Sequence, residues 1–249
     1  MQNILKLNEW LNANAPIVKK TIRRFTPGKL RGNFAEHKFT ALLDSESYAE
    51  LFSNIYRQNW WGNDESVSGF GSELPRTAPL REGLMQWCIQ NNIARIFDAP
   101  CGDFNWMGEL MKSELLRLDY LGGDIVAELV ENNKDKLCDR CQFMEFDIIK
   151  DELPHVDAWL CRDVLFHFPN AAIQTVLDRF IKSDIRFFLT SHFNGTRAHP
   201  DIKFGRYRKV NLCYPPFNWP QPSQLIYDGD RQDGDRYLGI WENPKFLAR

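Results

Sequence analysis

The fold of this 249-residue chain is indicated by residues 94–104, which read ARIFDAPCGDF. The first five residues form a short apolar run that ends in Asp98, a pattern typical of a buried strand. Pro100 and Gly102 then favour a turn, and the segment from Asn105 onward has the spacing of a helix. A strand that leads through a tight turn into a helix is the first half of a βαβ unit.

Three later segments repeat this pattern, because each is apolar and ends in an aspartate: Asp124, Asp147 and Asp163. Strands that alternate with helices predict a mostly parallel sheet with right-handed crossovers. Two final apolar segments, joined by an acidic turn, predict an antiparallel hairpin at the C-terminal end of an α/β fold. The predicted strands cover residues 94–98, 120–124, 142–147, 157–163, 185–191, 223–227 and 236–241, and the predicted helices of the core cover residues 80–89, 105–116, 126–136 and 171–182.

The sequence predicts three parts. A helical N-terminal extension covers residues 1–58 and includes an amphipathic helix around Trp10 and a second helix at about residues 40–58. A Gly/Ser-rich, lid-like loop covers residues 59–79 and carries two tryptophans. The core domain covers residues 80–249.

The composition excludes several classes of protein. With 43% hydrophobic and 26% charged residues, the chain is neither disordered, nor a collagen-like fibre, nor a coiled coil. No apolar run has the length needed to span a bilayer, and the first nine residues lack the apolar core of a secretory signal. The six cysteines show no disulfide framework, so we expect reduced thiols and a cytoplasmic location. The net charge of −2 argues against a basic surface for duplex nucleic acid.

The motifs at the strand ends resemble those of class I S-adenosylmethionine-dependent methyltransferases. The matching segments, in chain order, are ARIFDAPCGDF at 94–104, GDI at 123–125, FDI at 146–148 and CRDVLFHF at 161–168. The resemblance covers about residues 55–242 and implies a Rossmann-like methyltransferase fold. Within it, APCGDFNW at 99–106 is similar to a bacterial subgroup, some of whose members are associated with polysaccharide biosynthesis. The first motif departs from the usual pattern, because Pro100 and Phe104 stand where two of its three glycines are expected.

The resemblance implies S-adenosylmethionine as cofactor, bound beyond the carboxyl ends of the strands. The turn after the first strand would receive the methionine carboxylate on free helix N–H groups, and Gly102 allows the backbone a close approach. Asp124 would accept hydrogen bonds from both ribose hydroxyls, and Asp147 would accept one from the adenine amino group. The full set of residues predicted to bind the cofactor is Asp98, Cys101, Gly102, Phe104, Trp106, Asp124, Ile125, Asp147, Ile148, Arg162, Trp61 and Arg81.

Methyl transfer is an in-line displacement, and a hydroxyl acceptor often needs a general base. His167 is the predicted base, because it follows the fourth strand in the segment that faces the methyl group. Asp163 lies four residues earlier and would orient His167 if this segment coils helically. His192, after the fifth strand, is the second candidate. The alternative for His167 is a histidine that packs under the sheet.

The insertion after the fifth strand is basic, and an aromatic, proline-rich strap follows it at residues 214–222. Arginines beside an aromatic face suit an anionic, sugar-like acceptor. The residues predicted to contact the substrate are His192, Arg206, Arg208 and Trp219. The alternative is a solvated run of charges beside a packed strap.

The predicted function is therefore an S-adenosylmethionine-dependent O-methyltransferase that acts on a saccharide or another anionic small molecule. An RNA methyltransferase and a non-catalytic cofactor-binding protein are the alternatives. A dinucleotide dehydrogenase is disfavoured, because the G-x-G-x-x-G motif after the first strand is absent. No metal site is predicted, since the Cys138/Cys141 pair has no second pair to complete four ligands. Residues 1–31 suit either a peripheral contact with anionic lipid headgroups or a solvated or partner-packing helix.

Overall fold

The computed structural model describes residues 45, 47–61, 64–136, 138–229 and 234–247. The predictions made for residues 1–44, namely the amphipathic helix and the basic stretch within residues 1–31, lie outside the described residues. The part of the chain from Ser45 onward forms one compact unit. None of the helices within the described ranges is long and apolar enough to cross a membrane.

Seven strands form one sheet in the order β3-β2-β1-β4-β5-β7-β6. All neighbouring pairs are parallel except β5 with β7 and β6 with β7, which are antiparallel. The strands are β1 (Arg95–Asp98), β2 (Asp119–Asp124), β3 (Cys141–Glu145), β4 (Ala158–Cys161), β5 (Phe187–Phe193), β6 (Gln224–Tyr227) and β7 (Arg236–Glu242). The helices are α1 (Tyr48–Arg57), α2 (Leu74–Gln90), α3 (Asn105–Met111), α4 (Ala127–Lys134), α5 (Asn170–Lys182) and α6 (Pro244–Leu247). The prediction of a mostly parallel sheet with a C-terminal antiparallel hairpin is confirmed.

One helix begins earlier than the sequence predicts. The apolar spacing predicts a helix that begins at residue 80, after Pro79. In the structure this helix, α2, begins at Leu74 and contains Pro79. Pro75 lies in the first turn, where a backbone N–H has no helical partner to lose. Pro79 removes only the bond to the carbonyl four residues before it, so the helix continues through it.

Each face of the sheet carries its own apolar core. On one face, Trp159 and Phe188 of the sheet pack against α5. On the other face, Leu84 of α2 and Met107 of α3 are buried against the sheet. The strands β1, β4 and β5 are buried between the two cores. This two-sided burial explains why most of their residues are apolar and do not alternate regularly with polar ones.

The cysteines differ in part from the prediction. Cys138 and Cys141, just before and at the start of β3, form a disulfide with their Cα atoms 5.2 Å apart, so the expectation of reduced thiols is wrong for this pair. Their three-residue separation allows the turn before β3 to bring the two side chains together. Cys88, Cys101, Cys161 and Cys213 are free.

Candidate active site

The aspartates at the strand ends meet at one edge of the sheet. Asp98 and Asp124 are the last residues of β1 and β2, and Asp147 and Asp163 follow β3 and β4 by two residues each. Because these four strands are parallel and adjacent, their carboxyl ends share an edge. All four side chains line one cavity of about 300 Å³.

Asp98 is buried at the carboxyl end of β1. Its carboxylate accepts a hydrogen bond of 2.7 Å from the Tyr120 hydroxyl. Burial raises the pKa of Asp98 to about 7, although the Tyr120 hydrogen bond and the charge of Arg162 oppose this rise. An aspartate with this pKa in a cavity is suited to a cationic or hydrogen-bond-donating ligand.

Asp124 is held by backbone N–H groups. It accepts from the N–H of Gly102 at 3.0 Å and from the N–H of Val126 at 3.1 Å. Burial raises the pKa of Asp124 to about 6, while these backbone hydrogen bonds lower it. In the described part of the chain, no cation forms a salt bridge with Asp98 or Asp124, and both residues line the cavity.

The loop after β1 has an unusual backbone. Phe104 adopts a left-handed conformation with φ of 56°, at a position where the family motif favours glycine. Its ring packs on Tyr120 at 4.9 Å and on Phe143 at 5.0 Å between ring centroids. These buried aromatic contacts offset the backbone cost. Phe104 therefore lies in the core and does not line the cavity.

A second loop covers this one. The carboxylate of Asp103 accepts hydrogen bonds from the hydroxyls of Ser66 and Ser68 and from the N–H of Val67. Gly102 has φ of 54°, and a Cβ there would collide with the Ser68 hydroxyl. Residues 67–72 consequently form one wall of the cavity, together with Trp61.

Helix α1 closes the cavity beside β3. The hydroxyl of Tyr48 donates a 2.5 Å hydrogen bond to Asp147 Oδ2, and the N–H of Ile149 donates to the other carboxylate oxygen at 2.9 Å. Tyr48 also stacks on Phe204, with 4.8 Å between ring centroids. Lys150 contacts the same carboxylate at 3.4 Å. Asp147 is thus held in one orientation at the wall of the cavity.

We expect the variant Tyr48→Phe to lower the free energy of unfolding by about 1–2 kcal/mol, because its partly buried hydroxyl bonds to a charged group. Hydrogen exchange should become faster at the amides of α1. The matched control is Tyr56→Phe on the same helix, whose hydroxyl accepts an exposed hydrogen bond from Asn132. Tyr56→Phe should change the free energy of unfolding by no more than about 0.5 kcal/mol. If urea unfolding shows that both variants lose the same free energy of unfolding, the hydroxyl of Tyr48 does not have this stabilising role.

A buried ion network lines another part of the cavity. Arg162 donates to both carboxylate oxygens of Asp228, at 2.9 and 2.7 Å. Arg236 donates to Asp163 at 2.6 Å and to Asp228 at 3.1 Å, and the Ser191 hydroxyl donates to Asp163 at 2.7 Å. Burial alone would raise the pKa of Asp163, but the charges of Arg162 and Arg236 hold it well below its usual value. Asp163 is therefore an ionised side chain on the cavity wall.

His167 lies in a short 3₁₀ turn after β4 and lines the same cavity. Its Nδ1 is 2.9 Å from the backbone carbonyl of Arg206. A carbonyl only accepts, so Nδ1 carries the proton and Nε2 keeps its lone pair. Burial lowers the pKa of His167, so the ring is neutral at pH 7.

The predicted pairing of Asp163 with His167 is not found. Asp163 has φ of 61°, and its carboxylate bonds to Arg236 and Ser191. The segment after β4 coils only as a three-residue turn at Leu165–His167, so the two side chains are not joined as they would be on a helix. The backbone of Arg206 orients His167 instead.

The structure brings ten of the predicted cofactor residues together on the cavity wall. They are Trp61, Asp98, Cys101, Gly102, Trp106, Asp124, Ile125, Asp147, Ile148 and Arg162. Arg81 and Phe104 do not line it. Arg81 donates to the carbonyl of Leu74 and the hydroxyl of Thr77, so it stabilises the first turns of α2.

The predicted acceptor residues His192, Arg206, Arg208 and Trp219 do not line this cavity either. Arg208 is buried and donates to the carbonyl of Phe168 and the side chain of Asn170. Trp219 and His192 both pack on Trp241, at 5.7 Å between ring centroids. Trp219 of the strap is therefore packed, as the alternative expects, whereas Arg208 of the insertion is buried rather than solvated.

Several cavity residues were not predicted from the sequence. Tyr48 and Phe52 come from α1, Arg236 from the start of β7, and Tyr207 from the insertion. The spacing of residues in α1 predicts a helix with an apolar face, but it does not show that this face lines the cavity. No spacing rule connects Arg236 with Asp163, which is 73 positions away.

No protein-family model matches this chain, and no curated protein matches it. Solved structures do resemble it. Magnesium protoporphyrin IX methyltransferase from Synechocystis PCC 6803, with bound SAM, has a TM-score of 0.57 and 11% identity over 80% of this chain and 99% of that one. A structure of PigF with SAH has a TM-score of 0.58 and 15% identity over 91% of this chain and 72% of that one.

Human N-acetylserotonin methyltransferase, in complex with SAM, is a third such structure. Its TM-score is 0.51, with 15% identity over 84% of this chain and 66% of that one. At such low identities the likeness concerns the fold. The chain has the Rossmann-like fold of class I S-adenosylmethionine-dependent methyltransferases, and the four aspartates and His167 line one cavity at its strand ends.

Proposed function

We propose that this protein is an S-adenosylmethionine-dependent O-methyltransferase that uses His167 as its general base. The observation that carries the proposal is the cavity itself: three aspartates stand at the ends of adjacent strands, and a neutral histidine lines the same cavity. The structural neighbours that contain SAM or SAH support the same choice of cofactor.

The donor and acceptor groups of the cavity fit this cofactor. The ammonium group of the cofactor suits Asp98, which is buried without a salt bridge among the described residues. Two vicinal ribose hydroxyls suit Asp124, and an amino group on the adenine suits Asp147. Ile125 and Ile148 follow these two aspartates and offer apolar surface to a flat ring. A ligand with one cation and several hydrogen-bond donors thus matches the three acids.

When bound, the cofactor supplies a methyl group on a positively charged sulfonium. His167 would remove the proton of the acceptor hydroxyl at Nε2, because Nδ1 already carries a proton and donates it to Arg206. The ionised Asp163 would place negative charge near the reacting centre, since Arg236 and Ser191 keep it deprotonated and fixed. Trp61 and residues 67–72 would exclude water from the cavity.

The acceptor is a small molecule in this proposal. The described residues do not support an anionic saccharide as acceptor, or the link with polysaccharide biosynthesis, because the predicted basic residues Arg206 and Arg208 do not line the cavity. The membrane contact predicted for residues 1–31 lies outside the described residues. A non-catalytic role is disfavoured by the neutral, buried His167 on the cavity wall. An RNA methyltransferase would show strong, salt-dependent RNA binding, which a shift assay detects.

We expect Asp124→Asn to weaken binding of S-adenosylmethionine by about 10- to 100-fold, because a hydrogen bond to a charged group contributes about 1.5–3 kcal/mol. Isothermal titration calorimetry measures this change. Asp119→Asn is the matched control, since Asp119 begins the same strand and is exposed. Affinity of the unmodified protein should also fall as the pH drops from about 7 to about 6, because Asp98 and then Asp124 gain a proton and bind the ammonium and ribose groups less well. Unchanged affinity in Asp124→Asn would overturn the proposed cofactor site.

A further inference from the structure

The part of the cavity around His167 is aromatic. Trp61 stacks on the imidazole at 5.9 Å and 28° between ring planes. Phe166 meets the ring edge-on at 4.6 Å, and Tyr207 lies 6.0 Å away at an inclined angle. All four side chains line the cavity, so a ligand beside His167 meets the faces and edges of aromatic rings.

Two aromatic side chains of this cavity are also accessible to solvent. Phe70 and Tyr207 are each 57% exposed, although both line the cavity. Phe70 belongs to the wall formed by residues 67–72, and Tyr207 belongs to the insertion after β5. Exposed aromatic surface that is continuous with a cavity is typical of a ligand entrance.

The charges beside His167 disfavour an anionic group on the acceptor. Within the described residues, the cations that line the cavity are Arg162 and Arg236. Arg162 is paired with Asp228, and Arg236 is shared between Asp163 and Asp228. A carboxylate or phosphate on the acceptor would therefore meet no unpaired cation here, and it would lie near the ionised Asp163.

We propose that the methyl acceptor is an uncharged, planar molecule: a hydroxylated aromatic ring that stacks between Trp61 and Tyr207 with its hydroxyl at His167 Nε2. This proposal rests on the proposed function. The acceptor proton passes to Nε2, and the acceptor oxygen forms a bond to the methyl carbon. The carbon–sulfur bond breaks as its electron pair goes to sulfur, which leaves a methyl ether and a neutral thioether.

Three probes test the acceptor class: a naphthol, the same naphthol with a carboxylate on its second ring, and a methyl glucoside. Calorimetry measures their binding to the full chain saturated with S-adenosylhomocysteine, and mass spectrometry measures methylated product with S-adenosylmethionine. We expect the naphthol to bind at least about tenfold more tightly than either other probe, because it keeps the stacking area and adds no unpaired charge. It should also be the probe that yields a methyl ether.

The variant Tyr207→Ala should weaken binding of the naphthol by about tenfold, because one stacking face is lost. Its affinity for S-adenosylhomocysteine should not change. Tyr227→Ala is the matched control, since Tyr227 is also partly exposed but lies on β6, away from the cavity. That variant should bind the naphthol as the unmodified protein does.

The outcomes separate two kinds of failure. Tighter binding or faster methylation of the carboxylated naphthol or the glucoside would overturn the acceptor proposal and leave the methyltransferase proposal standing. The same holds if Tyr207→Ala and Tyr227→Ala bind the naphthol equally well. Failure to bind S-adenosylhomocysteine at all would instead overturn the proposed function.

Discussion

Replacing His167 by asparagine is expected to lower kcat by about 100- to 10,000-fold, the usual contribution of a general base. Asparagine can still donate a hydrogen bond to the carbonyl of Arg206, so the turn after β4 should keep its shape. It has no basic nitrogen to take the acceptor proton. Affinity for S-adenosylmethionine should stay within about twofold, because the three acids lie on other strand ends.

The pH dependence gives an independent test of His167. Burial lowers its pKa, so the base is active in its neutral form above a value that lies below about 6.5. At saturating cofactor and acceptor, kcat should rise as the pH increases through that value and then remain constant. The rise should disappear in His167→Asn.

The matched control is His155→Asn, because His155 is exposed in the loop before β4. Its rate and pH profile should equal those of the unmodified protein. If His167→Asn retains most of the activity with an unchanged pH profile, another group must be the base.

The second large effect concerns stability. We expect Asp228→Ala to lower the free energy of unfolding by about 3–5 kcal/mol, because it leaves Arg162 buried without its main anionic partner and removes one of the two partners of Arg236. The side chains of Arg162 and Asp228 are 3% and 0% exposed, so water cannot replace the lost contacts. For a chain of this size, the melting temperature should fall by about 10 °C.

Thermal and urea unfolding measure this loss. Asp178→Ala provides the control, since Asp178 is exposed on α5, where its carboxylate accepts a hydrogen bond from Gln174. This variant should change the free energy of unfolding by less than about 0.5 kcal/mol. Asp228→Asn keeps an acceptor oxygen and should lose less than Asp228→Ala. If the Asp228 and Asp178 variants unfold alike, the ion network does not stabilise the fold.

Much of the cavity could be predicted because its residues follow strands. Asp98, Asp124 and Asp147 each stand at the end of an apolar run, and parallel strands bring such ends to one edge. Local pattern and the rule for parallel sheets were therefore sufficient for these positions. The same logic placed His167 near them, a few residues after β4.

Other residues depended on contacts that no local pattern encodes. Phe104 adopts a left-handed backbone because its ring is buried against Tyr120 and Phe143, although the sequence rule reserves this conformation for glycine. The basic insertion predicted an anion site, but Arg208 is buried and donates a hydrogen bond to the carbonyl of Phe168. Charge counts along a chain do not show which partners a folded arginine meets.

The order of strands and helices, the parallel sheet and the row of acids at its edge all follow from local sequence, because periodicity and strand ends are local properties. The side chains that complete the cavity depend instead on long-range packing. Tyr48, Arg236 and Tyr207 come from segments far apart in the chain, and their places depend on how those segments pack on the sheet. Packing also decided that Asp163 pairs with Arg236 rather than with His167, since the buried arginine requires a charged partner.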